Sequence, residues 1–399
     1  MRPHAPRARA KPHDYPYVMR IITVFITTER ELSDFCTRAS SSDVLACDTE
    51  FMREKTFFPR LCLIQLATRS DTAIVDPLAI KDLSALRDLF TNKRITKVFH
   101  AHSQDFEVIY DALDCIPKPL FDTQVAAAFL GKQYQIGYGA LVELTCNVHL
   151  PKTESLTDWS RRPLDLAQIK YAQDDVLYLP KVFDAQKQAL TDLGRMTWFQ
   201  HEMQEACDAR HFVKDPREAY LHVKRISSLT RKQLAIAREI AAWRDLLARR
   251  ADVPRKWIVP DEILVDLAKT APSSNAQLER VRSIENLNAQ EKESLLKAIA
   301  KGKACPREDY PIARRHERPS AEVEGVLDLM YALLRLKCEK ASIATQLIAT
   351  REDLLKFLKG DSSCKLTSSW RFDMVGADLR RLLQGEMGLT VKEHRVELL

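Results

Sequence analysis

The sequence predicts an α/β domain on a mixed sheet, followed by two small all-helical domains. Three observations carry this. Short β-rich runs alternate with helix-periodic segments as far as about Lys214. Strand signals then vanish, and helical stretches alternate with Pro-containing loops such as Val253-Pro254 and Ala271-Pro272. The helical part is divided by Lys301–Pro319, a loose segment with mixed charge and prolines at 306, 311 and 319. A chain of 399 residues also exceeds one ordinary core, since domains run to roughly 100–200 residues. The expected organisation is an extension without fixed structure (1–18), a mixed domain (19–213), a first helical domain (214–300), a linker (301–319) and a second helical domain (320–399).

The elements follow in order. Ile21–Thr27 reads as a strand, Glu29–Ala39 as a helix, and Val44–Thr49 as an apolar strand ending in acids. Leu61–Thr68 and Ala73–Val75 are further strands, the second closed by Asp76-Pro77. A helix over Asp82–Phe90 and a strand over Thr96–His100 come next. From Ser103 to about Ala189 the pattern is helical, broken at Pro117 and Pro119, at Gly131, Gly137 and Gly139, and at Trp159–Leu164. Asp165 can cap a helix running past Tyr171 and Asp175.

Composition fits a soluble globular protein, with 45% hydrophobic and 29% charged residues and a formal charge of +6. That mild basicity tolerates a polyanionic partner without requiring one. Nine scattered cysteines without a C-x-x-C pair suit reduced thiols rather than a disulfide framework or zinc site. No apolar run approaches the roughly 18 residues of a membrane span, so a cytoplasmic protein is expected.

Asp48-Thr49-Glu50 closes an apolar strand, and the two-residue repeat puts both carboxylates on one face. Like charges so placed raise each other's pKa unless a cation neutralises them, and Mg²⁺ suits such oxygen-rich settings. An acid-x-acid pair alone arises about once in 60 positions by chance; Glu291/Glu293 and Glu322/Glu324 are such pairs. Asp105 follows a later strand, where an acid in the first turn of a helix capped by Ser103 is also ordinary. Tyr171 and Asp175, four apart, share a helix face. The conjunction is informative: carboxylates from several elements, plus a group to orient water, are what metal-assisted phosphodiester cleavage requires.

Residues 21–200 resemble the exonuclease domain of the ribonuclease D family, within the DEDD superfamily on a ribonuclease H-like fold. The matching motifs are Leu45-Ala46-Cys47-Asp48-Thr49-Glu50-Phe51 with Leu61-Cys62-Leu63-Ile64-Gln65, His100-Ala101-His102-Ser103-Gln104-Asp105, Asp122-Thr123-Gln124, and Tyr171-Ala172-Gln173-Asp174-Asp175-Val176. His102 stands where this family often has Gly. Tyr four residues before the last Asp, with Lys170 at the histidine position of the other subclass, marks the tyrosine type. The resemblance implies a 3′–5′ exoribonuclease with two divalent ions, Mg²⁺ or Mn²⁺. Asp48, Glu50 and Asp175 would hold one metal, Asp48 would bridge to the second, Asp105 would support it through water, and Tyr171 would orient the attacking water. Asp174, about 100° round the helix, is left out.

Residues 218–290 resemble an HRDC domain, through Leu229-Thr230-Arg231-Lys232-Gln233-Leu234, Ala242-Trp243-Arg244 and Ile258-Val259-Pro260-Asp261. Residues 320–386 resemble a second, more divergent copy. Candidate substrate contacts are Phe51, Phe57 and Phe58 for base stacking, His100 and Gln104 near the second motif, and Arg231, Lys232 and Arg244 for phosphates. Packing explains the phenylalanines and His100 equally well, and Trp159 is expected to pack. The implied partner is RNA, with 3′-extended tRNA precursors as substrate, acted on by a monomer with no protein partner. The alternatives are a DNA-directed exonuclease of the same fold and a non-catalytic RNA-binding adaptor.

Overall fold

A computed structural model describes residues 22–151, 157–312 and 319–399. The expected extension 1–18 and most of the second half of the linker lie outside the described residues.

Six strands form one mixed sheet: β1 (Ile22–Ile26), β2 (Val44–Met52), β3 (Arg60–Ala67), β4 (Asp71–Val75), β5 (Thr96–Phe99) and β6 (Leu120–Asp122), in the spatial order β1-β4-β3-β2-β5-β6. β2 and β4 both run antiparallel to β3, whereas β1 with β4, β2 with β5 and β5 with β6 are parallel. β2 is central, and it extends beyond the expected Thr49. A register shift between Glu50 and Phe51 bends it just past the acidic pair. β6 falls inside the stretch read as helical; its three residues, next to Pro119, are too short for alternation to show.

Helices cover the sheet: α1 (Glu29–Ala39), α2 (Ser84–Thr91), α3 (Ser103–Leu113), α4 (Thr123–Phe129), α5 (Tyr138–Cys146), α6 (Leu166–Leu177), α7 (Leu179–Asp192) and α8 (Met196–Ala206). α1 has the expected bounds, and Thr28 and Glu31 form a reciprocal capping box at its start. Asp165 caps α6 as expected, with Gln168 reaching back. α3 begins one residue earlier than the expected cap: His102, not Ser103, is the N-cap residue.

The first helical domain comprises α9 (Arg231–Ala251), α10 (Arg255–Ile258), α11 (Asp261–Thr270), α12 (Asn275–Leu278) and α13 (Ala289–Lys303). α13 runs three residues into the expected linker. This domain closes a core of its own around Leu234, Ile240, Leu264, Leu267, Leu295 and Ile299. Gly302 permits a tight crossing, since a Cβ there would lie 2.5 Å from the Ile236 Cα.

The second helical region comprises α14 (Ala321–Ala341), α15 (Thr345–Ile348), α16 (Arg351–Leu358), α17 (Ser369–Arg371) and α18 (Ala377–Leu383), the last two joined by a π-turn over Phe372–Gly376. A hairpin of β7 (Leu389–Lys392) and β8 (Arg395–Leu398) follows, so the all-helical expectation holds only as far as Leu383. The apolar face of this region is continuous with the core of the sheet domain. Trp370 stacks on Trp198 and meets Phe129, with ring centroids 5.2 and 5.1 Å apart. Arg371 donates to both Glu202 carboxylate oxygens, and the Trp370 indole N–H to one. No helix among the described residues is long and apolar enough to cross a membrane.

Candidate active site

Asp48 and Glu50 project from the same face of β2, and α6 lays Asp175 against that face. One carboxylate oxygen from each lies within 4.8 Å of the others. Three acids this close, half-buried, do not remain ionised together without a cation. Burial pushes the Asp48 carboxyl well above the usual range, reinforced by the charges of Asp105, Asp175 and Glu50. Burial, with Asp175 and Asp105, raises Glu50 to about 8; burial, with Asp174 and Asp105, raises Asp175 to about 7.

Asp105 is not in this group of three. Its Oδ1 accepts the Thr49 hydroxyl at 2.5 Å, and burial raises it to about 6 against that hydrogen bond. Thr49 lies between the two ligand carboxylates and points to the opposite face of β2, so it ties α3 to the strand. The turn before α3 is fixed by Asp122. Its carboxylate accepts the Ala101 and His102 backbone N–H groups, the His102 Nδ1 at 2.6 Å, and the Gln124 and Val125 N–H groups that open α4. Ala101 takes a left-handed conformation there, with φ 63°.

Tyr171 sits one turn before Asp175, with its ring 6.0 Å from that of Trp159. Trp159 is buried, and its segment is pinned to the sheet by Arg162, which donates to both Asp76 carboxylate oxygens and to the Cys62 and Trp159 carbonyls. Asp174 turns away to pair with Lys170. The donor set of three converging carboxylates fits a hard divalent cation. So does Gln65, directly across β3 from Asp48: its side-chain amide is fully buried with no hydrogen-bond partner, where buried polar groups are ordinarily satisfied.

The candidate substrate residues scatter. Gln104 is exposed on the first turn of α3. Phe51 is half-buried against the core, with the Arg53 guanidinium 5.0 Å from its ring. Phe57 packs edge-on against Phe58 and lies under Arg249 and Arg255 of the first helical domain. Both backbone N–H groups of that pair donate to Asp252. His100 has both ring nitrogens engaged, by the Thr123 hydroxyl and the Ile136 carbonyl, each at 2.9 Å; burial lowers its pKa. Arg231 and Lys232 are exposed at the start of α9. Arg244 is not a surface cation: it is 3% exposed and donates to Asp261 and the Val259 carbonyl. Sequence reasoning gave no role to Thr49, Gln65, Asp122 or Asp252. The Asp-Thr-Gln motif marked Asp122, whereas nothing in the sequence marks Asp252.

This fold and site define a 3′–5′ exonuclease of the carboxylate, metal-dependent class. Residues 23–190 match a family model described as 3′-5′ exonuclease, and 233–300 match the HRDC domain model. The chain is 37% identical to the ribonuclease D of Jannaschia sp. (strain CCS1) over 94% of its own length and 98% of that protein's. It is 38% identical to that of Acidiphilium cryptum (strain JF-5), over 94% and 96%. The crystal structure of Escherichia coli RNase D, an exoribonuclease involved in structured RNA processing, superposes with a TM-score of 0.78 at 30% identity, over 90% of this chain and 98% of that one. The chain belongs to the ribonuclease D family and is a 3′–5′ exoribonuclease.

Proposed function

We propose that this enzyme hydrolyses RNA one nucleotide at a time with two divalent cations, Mg²⁺ or Mn²⁺, and that it trims 3′-extended tRNA precursors as a cytoplasmic monomer. The convergence of Asp48, Glu50 and Asp175 within 4.8 Å carries this reading. Structured RNA processing by the Escherichia coli relative supports the substrate class.

In this reading Asp48, Glu50 and Asp175 hold one cation, Asp48 is shared with the second, and Asp105 acts through water. Such a pair of cations, when bound, stabilises the attacking and leaving oxygens of an in-line displacement. Tyr171 orients the water that attacks the terminal phosphorus. The bond from phosphorus to the preceding 3′ oxygen breaks, releasing a nucleoside 5′-monophosphate and leaving a new 3′ hydroxyl. Asp122 and Thr49 keep Asp105 in register without touching substrate. Ala321–Leu383 is a second, divergent HRDC copy.

The test is the purified full chain on 5′-labelled, 3′-extended tRNA and on a matched DNA strand, with Mg²⁺ or Mn²⁺. Stepwise shortening of the RNA, abolished by EDTA and by Asp48→Ala, is expected. No degradation with either metal overturns the reading, and equal digestion of DNA removes its RNA specificity.

A further inference from the structure

Two cavities share the walls formed by Lys214 and Arg255. The larger, about 930 Å³, lies on the first helical domain and also includes Lys224, Lys256, Trp257 and Asp261. The smaller, about 160 Å³, lies where that domain meets the exonuclease domain and includes Arg53, Phe58 and Glu107. These last residues lead to the site: Arg53 is three residues past Glu50, and Glu107 is on α3, two residues past Asp105.

In the larger cavity five cationic side chains, counting the buried Arg244, face the two carboxylates of Asp261 and Glu262. Asp261 is already paired with Arg244, and Glu107 in the smaller cavity with Arg53 and Lys214. Lys224 and Lys256 are exposed, with no ion pair among the described residues. Between them in space stands Trp257, an indole left 54% exposed on the short helix α10. A basic groove with an exposed aromatic platform is the chemistry that binds single-stranded nucleic acid, through phosphate neutralisation and base stacking.

We infer that the single-stranded RNA upstream of the scissile bond runs along this pair of cavities, stacking a base on Trp257 and passing its phosphates by Lys224 and Lys256. The inference rests on the exoribonuclease reading for the direction of the strand. It also moves RNA contact on this domain from Arg231, Lys232 and Arg244 to the opposite end of α9.

The test compares a long oligoadenylate with a dinucleotide, using the full chain. Binding of the fluorescently labelled long RNA is measured by anisotropy in EDTA, and hydrolysis of both RNAs in Mg²⁺. Trp257→Ala should weaken long-RNA binding about tenfold, the scale of one lost base–aromatic stack, while Trp257→Phe retains most of it. Combined Lys224→Glu and Lys256→Glu should lower the slope of log affinity against log salt by roughly two. Dinucleotide hydrolysis should not change in any of these variants. Unchanged long-RNA affinity in Trp257→Ala, or an equal effect on the dinucleotide, overturns the inference. Trp257-dependent binding in a chain that hydrolyses nothing supports the groove while sinking the exonuclease reading.

Discussion

The two helical regions begin alike and end differently. Each opens with a 21-residue helix, α9 or α14, and each follows it with a four-residue helix and a shorter amphipathic one. Each long helix stops at a residue in the left-handed conformation, Asp252 at φ 48° or Ser342 at φ 49°, and each of those residues touches the exonuclease domain. Asp252 does so through two hydrogen bonds to exposed backbone. The Ser342 carbonyl accepts from the largely buried Arg195 and stands where a Cβ on Gly131 would approach to 2.6 Å. The first region buries its apolar face within itself; the second buries it in the exonuclease core. One scaffold can therefore serve as a separately stable attachment or as part of a catalytic body, according to which face carries the large apolar residues.

The largest expected effect tests that division. Trp370→Ala should cost about 3–5 kcal/mol and lower the melting transition of the exonuclease body. Ile240→Ala, buried in the first region, should lower only a separate transition, by about 2–5 kcal/mol. Calorimetry of the full chain decides: a single transition lowered by both variants breaks the comparison.

Removing either member of the Arg371–Glu202 pair leaves the other charge poorly solvated and should cost about 3–5 kcal/mol. Burial works against the Glu202 carboxylate, but the Arg371 hydrogen bonds and charge outweigh it and hold its pKa low. A depressed carboxylate stabilises above its unfolded pKa of about 4.3 and loses that contribution as pH falls through the lower folded value. Glu202→Gln should therefore flatten the acid side of the stability profile for the exonuclease body alone, as thermal melts between pH 2 and 6 would reveal (pH range chosen around the ~4.3 reference).

The metal site belongs to the same body. Glu50 near 8 and Asp175 near 7 are raised, so the folded apo-protein holds protons that the unfolded chain has lost. Their contribution is present below about pH 4 and is lost as pH rises through those values. Mg²⁺ at about 100 times its dissociation constant should add about 2.7 kcal/mol, with the larger shift at the alkaline end, and should leave the transition of the first helical region in place. Equal shifts in both transitions would count against the division.

The smallest effect concerns the attachment. Asp252→Gly keeps the left-handed turn but removes the acceptor for two exposed amides, worth about 1 kcal/mol. Hydrogen exchange at Phe57 and Phe58 should accelerate while both melting transitions stay fixed. Unchanged exchange would mean that Asp252 does not hold this loop.

Most of the sheet domain was legible because its strands are apolar runs and its helices carry caps; α1 needed only Thr28 and Glu31. Asp48, Glu50 and Asp175 were legible through spacing and motif, and the structure brings them together. The indirect placement of Asp105 depends on Thr49, whose partner lies 56 residues away and leaves no local trace. Arg244 was misjudged as a surface cation, although it continues the buried row Ala237, Ala241 and Ala248 on α9; helical spacing could have flagged it. What the α14 region packs against could not be read, because periodicity identifies an apolar face but not its neighbour.

The shared core has a consequence for synthesis. Phe199 and Phe129 are complete long before Trp370 leaves the ribosome. At about 5–20 residues per second, the nascent nuclease waits roughly 10–35 s with part of its interior uncovered. During that interval the first helical region can already fold on its own core, so the RNA-holding part of the chain matures before the cutting part is sealed.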